Sequence, residues 1–133
     1  MGEVRSKDGT AIAFERSGEG SPVILVVGAF NDRATGAPLA AALQERFTIF
    51  NYDRRGRGGS GDTLPYAVER EVEDLEALIE EAGGSASVFG YSSGAVLALR
   101  AAAHGLTIPR LALYDPPVSA ALGSLTTLNT YAS

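Results

Sequence analysis

The stretch that most limits what this chain can fold into is Val88-Phe89-Gly90-Tyr91-Ser92-Ser93-Gly94, followed at once by Ala95-Val96-Leu97-Ala98-Leu99. A short apolar strand runs through a G-x-S-x-G pentapeptide into an apolar helix with no linker between them. A chain turning that sharply must put its central serine at the apex, in a strained conformation with the hydroxyl facing outward. Gly90 and Gly94 lack the Cβ atoms that would collide across so tight a bend. The helix that begins there aims its N-terminal amides at any anion forming on the serine. Ser92 is therefore the candidate nucleophile.

The segments around this turn alternate in type. Gly2–Asp8 and Thr10–Arg16 read as two strands about the hairpin signal Asp8-Gly9. Pro22–Val27 is a continuous apolar run, the pattern of a central strand covered on both faces. Pro38–Arg46 reads as a short Ala/Leu-rich helix, and Phe47–Tyr52 as the next strand. A helix is expected from about Tyr66 to Ala82, with Val68, Val72, Leu75, Leu78, Ile79 and Ala82 on one stripe and Gly83-Gly84 ending it. Ser87–Tyr91, Ser93–Ala103 and Leu111–Tyr114 follow as strand, helix and strand. This order implies an α/β fold: a mostly parallel sheet with flanking helices, opened by an antiparallel hairpin.

Composition removes several function classes. A net charge of −5 lacks the basic footprint of a nucleic-acid binder. No run approaches the ~20 apolar residues that span a bilayer, so no membrane partner is expected. Met-Gly-Glu-Val-Arg-Ser-Lys-Asp holds no apolar signal core, and a cytoplasmic location is the expectation. With no cysteine and one histidine, neither a thiolate nor a histidine metal site is expected. Gly56, Gly58 and Gly61 satisfy G-x-G-x-x-G, but Asp62-Thr63-Leu64-Pro65 separates them from the next helix, whereas a dinucleotide fingerprint opens its helix directly. No cofactor is expected.

Val23–Phe30, Tyr52-Asp53-Arg54-Arg55-Gly56-Arg57-Gly58-Gly59-Ser60 and Gly90-Tyr91-Ser92-Ser93-Gly94 together resemble the α/β-hydrolase fold family, in its order and at its usual spacing. The resemblance covers roughly Gly2 to Val118. It implies serine-dependent acyl transfer (ester, thioester or amide hydrolysis through an acyl-enzyme) on a small-molecule acyl substrate. The D-x-R-G-x-G-x-S loop is mainly structural in that family. The resemblance also implies an oxyanion hole built from the amide of Ser93 and one amide of the Gly28-Ala29-Phe30 loop, that of Ala29 with Phe30 as the alternative. Many members carry His-Gly where this chain has Val27-Gly28, a departure that spares the backbone donor.

The remainder of such a site is harder to find. His104, the chain's one histidine, lies twelve residues beyond Ser92 at the far end of the helix that Ser92 begins. At ~1.5 Å of rise per residue it is out of reach within one subunit, and it reads as a residue closing a helix beside Gly105. Asp115, at the end of the strand expected beside that of Ser92, is a candidate for the triad acid, but without a histidine partner Asp115-Pro116-Pro117 better suits a plain strand end. The family continues with a lid, further strands and a histidine-bearing loop, whereas residues 119–133 form an uncharged tail unlike it. The expectation is a truncated hydrolase fold lacking the lid and last strands: a core over residues 1–118 plus that tail. Three functions follow: a serine hydrolase impaired as the chain stands, a non-catalytic binding or oligomerisation module, or an enzyme whose base comes from a second chain. Leu111–Tyr114 would be an exposed sheet edge through which the chain could form a homo-oligomer.

Overall fold

The computed structural model describes residues 1–28 and 31–114. Their elements run β1 (Gly2–Arg5), β2 (Ala11–Ser17), β3 (Ser21–Val26), α1 (Arg33–Leu43), β4 (Phe47–Tyr52), α2 (Val68–Glu81), β5 (Ser87–Tyr91), α3 (Ser93–Ala103) and β6 (Leu111–Tyr114). One six-stranded sheet has the order β1-β2-β4-β3-β5-β6. β1 pairs antiparallel with β2, and β2 antiparallel with β4. The remaining pairs, β3 with β4, β3 with β5 and β5 with β6, are parallel. The α/β architecture with an opening hairpin is as the sequence implied.

Strand order determines where a site can form. The chain leaves β3 through α1 to reach β4 on one side, then returns through α2 past β3 to β5 on the other. The order therefore reverses at β3, and the crevice outside the carboxyl ends of β3 and β5 is the switch point at which open α/β sheets bind ligands. Both halves of the expected site, the Gly28 loop after β3 and Ser92 after β5, open there.

The helices sit on opposite faces of the sheet. Against α2 and α3 the buried side chains include Ile12, Phe14, Ile24, Val26, Phe50, Val72, Leu75, Leu78, Val88 and Leu97. The α2 stripe read from the sequence is the one that packs here, because residues three and four apart share a helix face. A smaller cluster of Leu25, Ala40 and Ile49 lies under α1. Alternation along β3 produces both: Ile24 and Val26 face α2 and α3, while Leu25 faces α1.

One helix begins earlier than its sequence suggests. α1 spans Arg33–Leu43 rather than Pro38–Arg46, with Pro38 inside it. Its first turn is held from outside. Asp32 caps it by accepting from the Ala34 amide at 2.9 Å, Asp53 accepts from the Arg33 amide at 2.7 Å, and the Asn51 side-chain amide donates to the Arg33 carbonyl at 2.8 Å. Two of those three partners come from the end of β4, outside the local sequence. They offset the backbone bond that a proline forfeits.

Candidate active site

Ser92 has φ 58° and ψ −125°, and among the described residues it alone combines a positive φ with a side chain. Such a conformation is costly for an L-residue and persists only where its surroundings enforce it. Three contacts do so. The Ser92 amide donates to the Tyr114 carbonyl of β6 at 2.9 Å, and the Ser92 carbonyl accepts from the Ala95 amide at 2.9 Å. A Cβ built on Gly94 would lie 2.2 Å from the Val26 carbonyl oxygen, so the first turn of α3 rests directly on the end of β3. Ser92 occupies the N-cap position of α3, yet its hydroxyl makes no capping bond. An ordinary N-cap serine bonds an amide of its own helix; this one does not.

The loop after β3 lies against this serine. A Cβ on Gly28 would fall 3.4 Å from Ser92 Cβ and 3.8 Å from Ser92 Oγ, so the Gly28 backbone is packed onto the nucleophile candidate. Ser93 is the first residue of α3, and the amides of a first helical turn point out of the N-terminus toward the crevice. Ala29 and Phe30, the alternative second donors, lie outside the described residues, as does Asp115, the candidate acid. His104 closes α3 at its far end, exposed, with Nδ1 bonded to the Arg100 carbonyl at 2.9 Å. The structure thus brings Ser92, Gly28 and Ser93 together and leaves His104 apart from them. No group of metal-ligating side chains occurs among the described residues, and no described helix is long and apolar enough to cross a membrane.

Two clefts flank the crevice. The loops after β3 and β4 enclose a polar one of about 650 Å³, bordered by Asn31, Thr35, Arg57, Asp62 and Tyr66. On the α1 side a smaller apolar groove of about 320 Å³ is lined by Val27, Leu39, Phe89, Tyr91 and Tyr114.

The glycine-rich loop after β4 contributes more than its sequence suggests. Asp53, buried, accepts from the amides of Arg33 and Gly59 and pairs with Arg33 Nε at 2.9 Å. Arg55 is clamped by Asp74 of α2 and by Asp8 of the β1–β2 hairpin. Arg54 reaches the site itself. Its Nε and Nη2 each donate to Glu71 at 2.7 Å, while Nη1 donates to the Val27 carbonyl at 3.2 Å and to Ser93 Oγ at 3.1 Å. Tyr66 donates its hydroxyl to Glu71 at 2.6 Å. Burial pushes the Glu71 carboxyl up, but the Arg54 guanidinium and the Tyr66 hydroxyl outweigh it and hold the group below the usual carboxylate range. The sequence reading missed Arg54, Glu71 and Tyr66. A signal was present: Glu71 stands three residues after Val68 and beside Val72, on the buried stripe of α2.

Comparisons with known proteins agree with this fold. A sequence model of the alpha/beta hydrolase family matches residues 23–132. An N-formylmaleamate deformylase from Pseudomonas putida is 39% identical over 106 residues, covering 77% of this chain and 40% of its own length. The crystal structure of an alpha/beta hydrolase from Sphaerobacter thermophilus superposes with a TM-score of 0.86 at 52% identity, over 98% of this chain and 60% of that one. A thermophilic esterase from Thermogutta terrifontis gives a TM-score of 0.79 at 28% identity, over 87% of this chain and 45% of that one. The chain thus spans less than two thirds of the length of each of these relatives.

Proposed function

This chain belongs to the alpha/beta hydrolase family, and from that premise we propose that it carries the nucleophile and oxyanion side of a serine acyl-transfer site. The observation that carries the reading is the conformation of Ser92, φ 58° at a strand-to-helix turn with a hydroxyl that does not cap its own helix. Ser92 Oγ attacks the carbonyl carbon of a small ester, thioester or amide. The carbonyl oxygen gains the negative charge and is received by the Ser93 amide and an amide of the Ala29–Phe30 loop. Collapse of that intermediate expels the alcohol, thiol or amine, and water then frees the acid from the acyl-enzyme. Relatives named deformylase and esterase support acyl transfer as the reaction class.

The serine proton needs an acceptor within ~2.6–3.2 Å. His104, at the opposite end of α3, does not supply it. Asp115 remains our candidate for the acid of a triad. The 133-residue chain is therefore expected to react slowly, with its rate drawn from the oxyanion donors and substrate binding, a combination that leaves roughly 10³–10⁴-fold over water in a serine protease stripped of its triad. A fluorophosphonate probe should label Ser92 slowly. Ser92→Ala should abolish labelling, and His104→Ala should leave its rate unchanged. Labelling that persists in Ser92→Ala would place the nucleophile elsewhere, and a large loss in His104→Ala would mean that the base comes from a second chain.

A second reading, as an oligomerisation module, draws on β6. Among the described residues no strand pairs with its outer edge; Ala112 is exposed, as is Tyr114, whose ring stacks on Tyr91. An uncharged edge of this kind is a template for a second copy. Light scattering should show a mass that rises with concentration, and Ala112→Lys, which puts a charge on the edge, should return the chain to monomer. A 133-residue chain that stays monomeric at high concentration removes this reading.

A further inference from the structure

Arg54 stands directly after β4, two residues beyond Tyr52, with its side chain only 6% exposed. A buried guanidinium is tolerated only when its charge is paired and its donors are used. Glu71, itself 2% exposed, meets the first need by taking Nε and Nη2 side by side. That two-pronged clamp lies in the guanidinium plane and fixes the direction of the remaining nitrogen. Nη1 then donates to two acceptors on different elements: the Val27 carbonyl, next to Gly28, and the hydroxyl of Ser93. These are the two walls between which an oxyanion would sit.

We propose that Arg54 is a positioning residue that sets the spacing between the Gly28 loop and the first turn of α3, and thereby the geometry of the oxyanion donors. The proposal rests on the reading of Ser92 as nucleophile given above. Arg54 does not touch substrate. It acts through the Val27 carbonyl and the Ser93 side chain, and Glu71 and Tyr66 hold its plane. A lysine could not replace it, because one ammonium cannot clamp a carboxylate and reach two further acceptors in a fixed fork. Displacement of donors by even 1 Å is enough to cost about 10²-fold in rate.

Arg54→Lys and Tyr66→Phe test this together. Tyr66→Phe removes only the hydroxyl on Glu71 from a half-exposed ring and keeps the fold intact should Arg54→Lys fail to fold. Two readouts are needed, amide resonances in ¹H–¹⁵N spectra and the kinetics of fluorophosphonate labelling. The resonances of Gly28 and Ser93 should move, while those of Ile24 and Ile49 in the sheet stay in place. The maximal labelling rate should fall about 10- to 100-fold in Arg54→Lys and about 2- to 3-fold in Tyr66→Phe, with the half-saturating probe concentration unchanged. A folded variant in which either the resonances or the maximal rate match the wild-type overturns the proposal. Absence of labelling in the wild-type chain would instead sink Ser92 as nucleophile, and the resonances alone would then decide whether Arg54 holds the two walls together.

Discussion

Gly94→Ala is expected to lower stability by about 3 kcal/mol and to end labelling at Ser92. The new methyl group would sit 2.2 Å from the Val26 carbonyl oxygen and 2.6 Å from that of Val27. Neither atom can move alone. Val26 is paired with Gly90 in the β3–β5 ladder, and Val27 O is held by Arg54. Relief must come from lifting α3 off the sheet, which carries the Ser93 amide away from the Gly28 loop and relaxes the φ of Ser92. Gly90→Ala should behave similarly, since its Cβ would lie 2.6 Å from the Gly94 carbonyl oxygen. Gly61→Ala is the control: its nearest neighbour would be at 3.7 Å, an ordinary contact, and its cost should stay within about 0.5 kcal/mol. Thermal and denaturant midpoints measure the first effect and probe labelling the second. A Gly94→Ala chain with wild-type values for both would show that close approach of α3 to β3 is not what builds the turn.

That turn is legible in the sequence because strand, glycine, serine, glycine and helix are contiguous, so all the information is local. The same holds for the opening hairpin, although β1 ends at Arg5 rather than Asp8, and for β4, β5, α3 and β6, whose bounds agree with the sequence reading. Where the structure departed, the cause was distant. α1 starts five residues earlier because Asn51 and Asp53 from β4 hold its first turn, and a proline in the local sequence pointed the other way. The functions of Arg54 and Arg55 were hidden for a related reason. Charged residues on a helix read as its solvated face, yet Glu71 and Asp74 lie on the buried face of α2, and only the tertiary fold reveals their arginines.

The largest loss of stability is expected from Asp74→Ala, about 3–5 kcal/mol. Arg55 has a side chain only 1% exposed and is held by two carboxylates from separate parts of the chain: Asp74 through Nε at 2.9 Å and Nη2 at 2.6 Å, and Asp8 through Nη1 at 2.8 Å. Removing Asp74 strands a guanidinium away from water with one carboxylate in place of two, and a buried charge left underpaired costs far more than the pair itself contributes. Against a total of ~5–15 kcal/mol for a domain, that loss brings the chain close to unfolding. Asp8→Ala should cost less, because Asp8 is more exposed and water can replace part of its role. The hydrogen bond from Arg55, then that from Thr10, holds the Asp8 carboxyl well below the usual carboxylate range. Its contribution is therefore complete above pH ~4 and is lost as pH falls toward that depressed value. Wild-type stability should decline below pH ~4, and Asp8→Ala should flatten part of that decline. Urea midpoints between pH 7 and pH 2 measure both effects. An Asp74→Ala chain within 1 kcal/mol of wild-type would mean that Asp8 alone satisfies Arg55, and that the hairpin, more than α2, anchors the loop beneath the site.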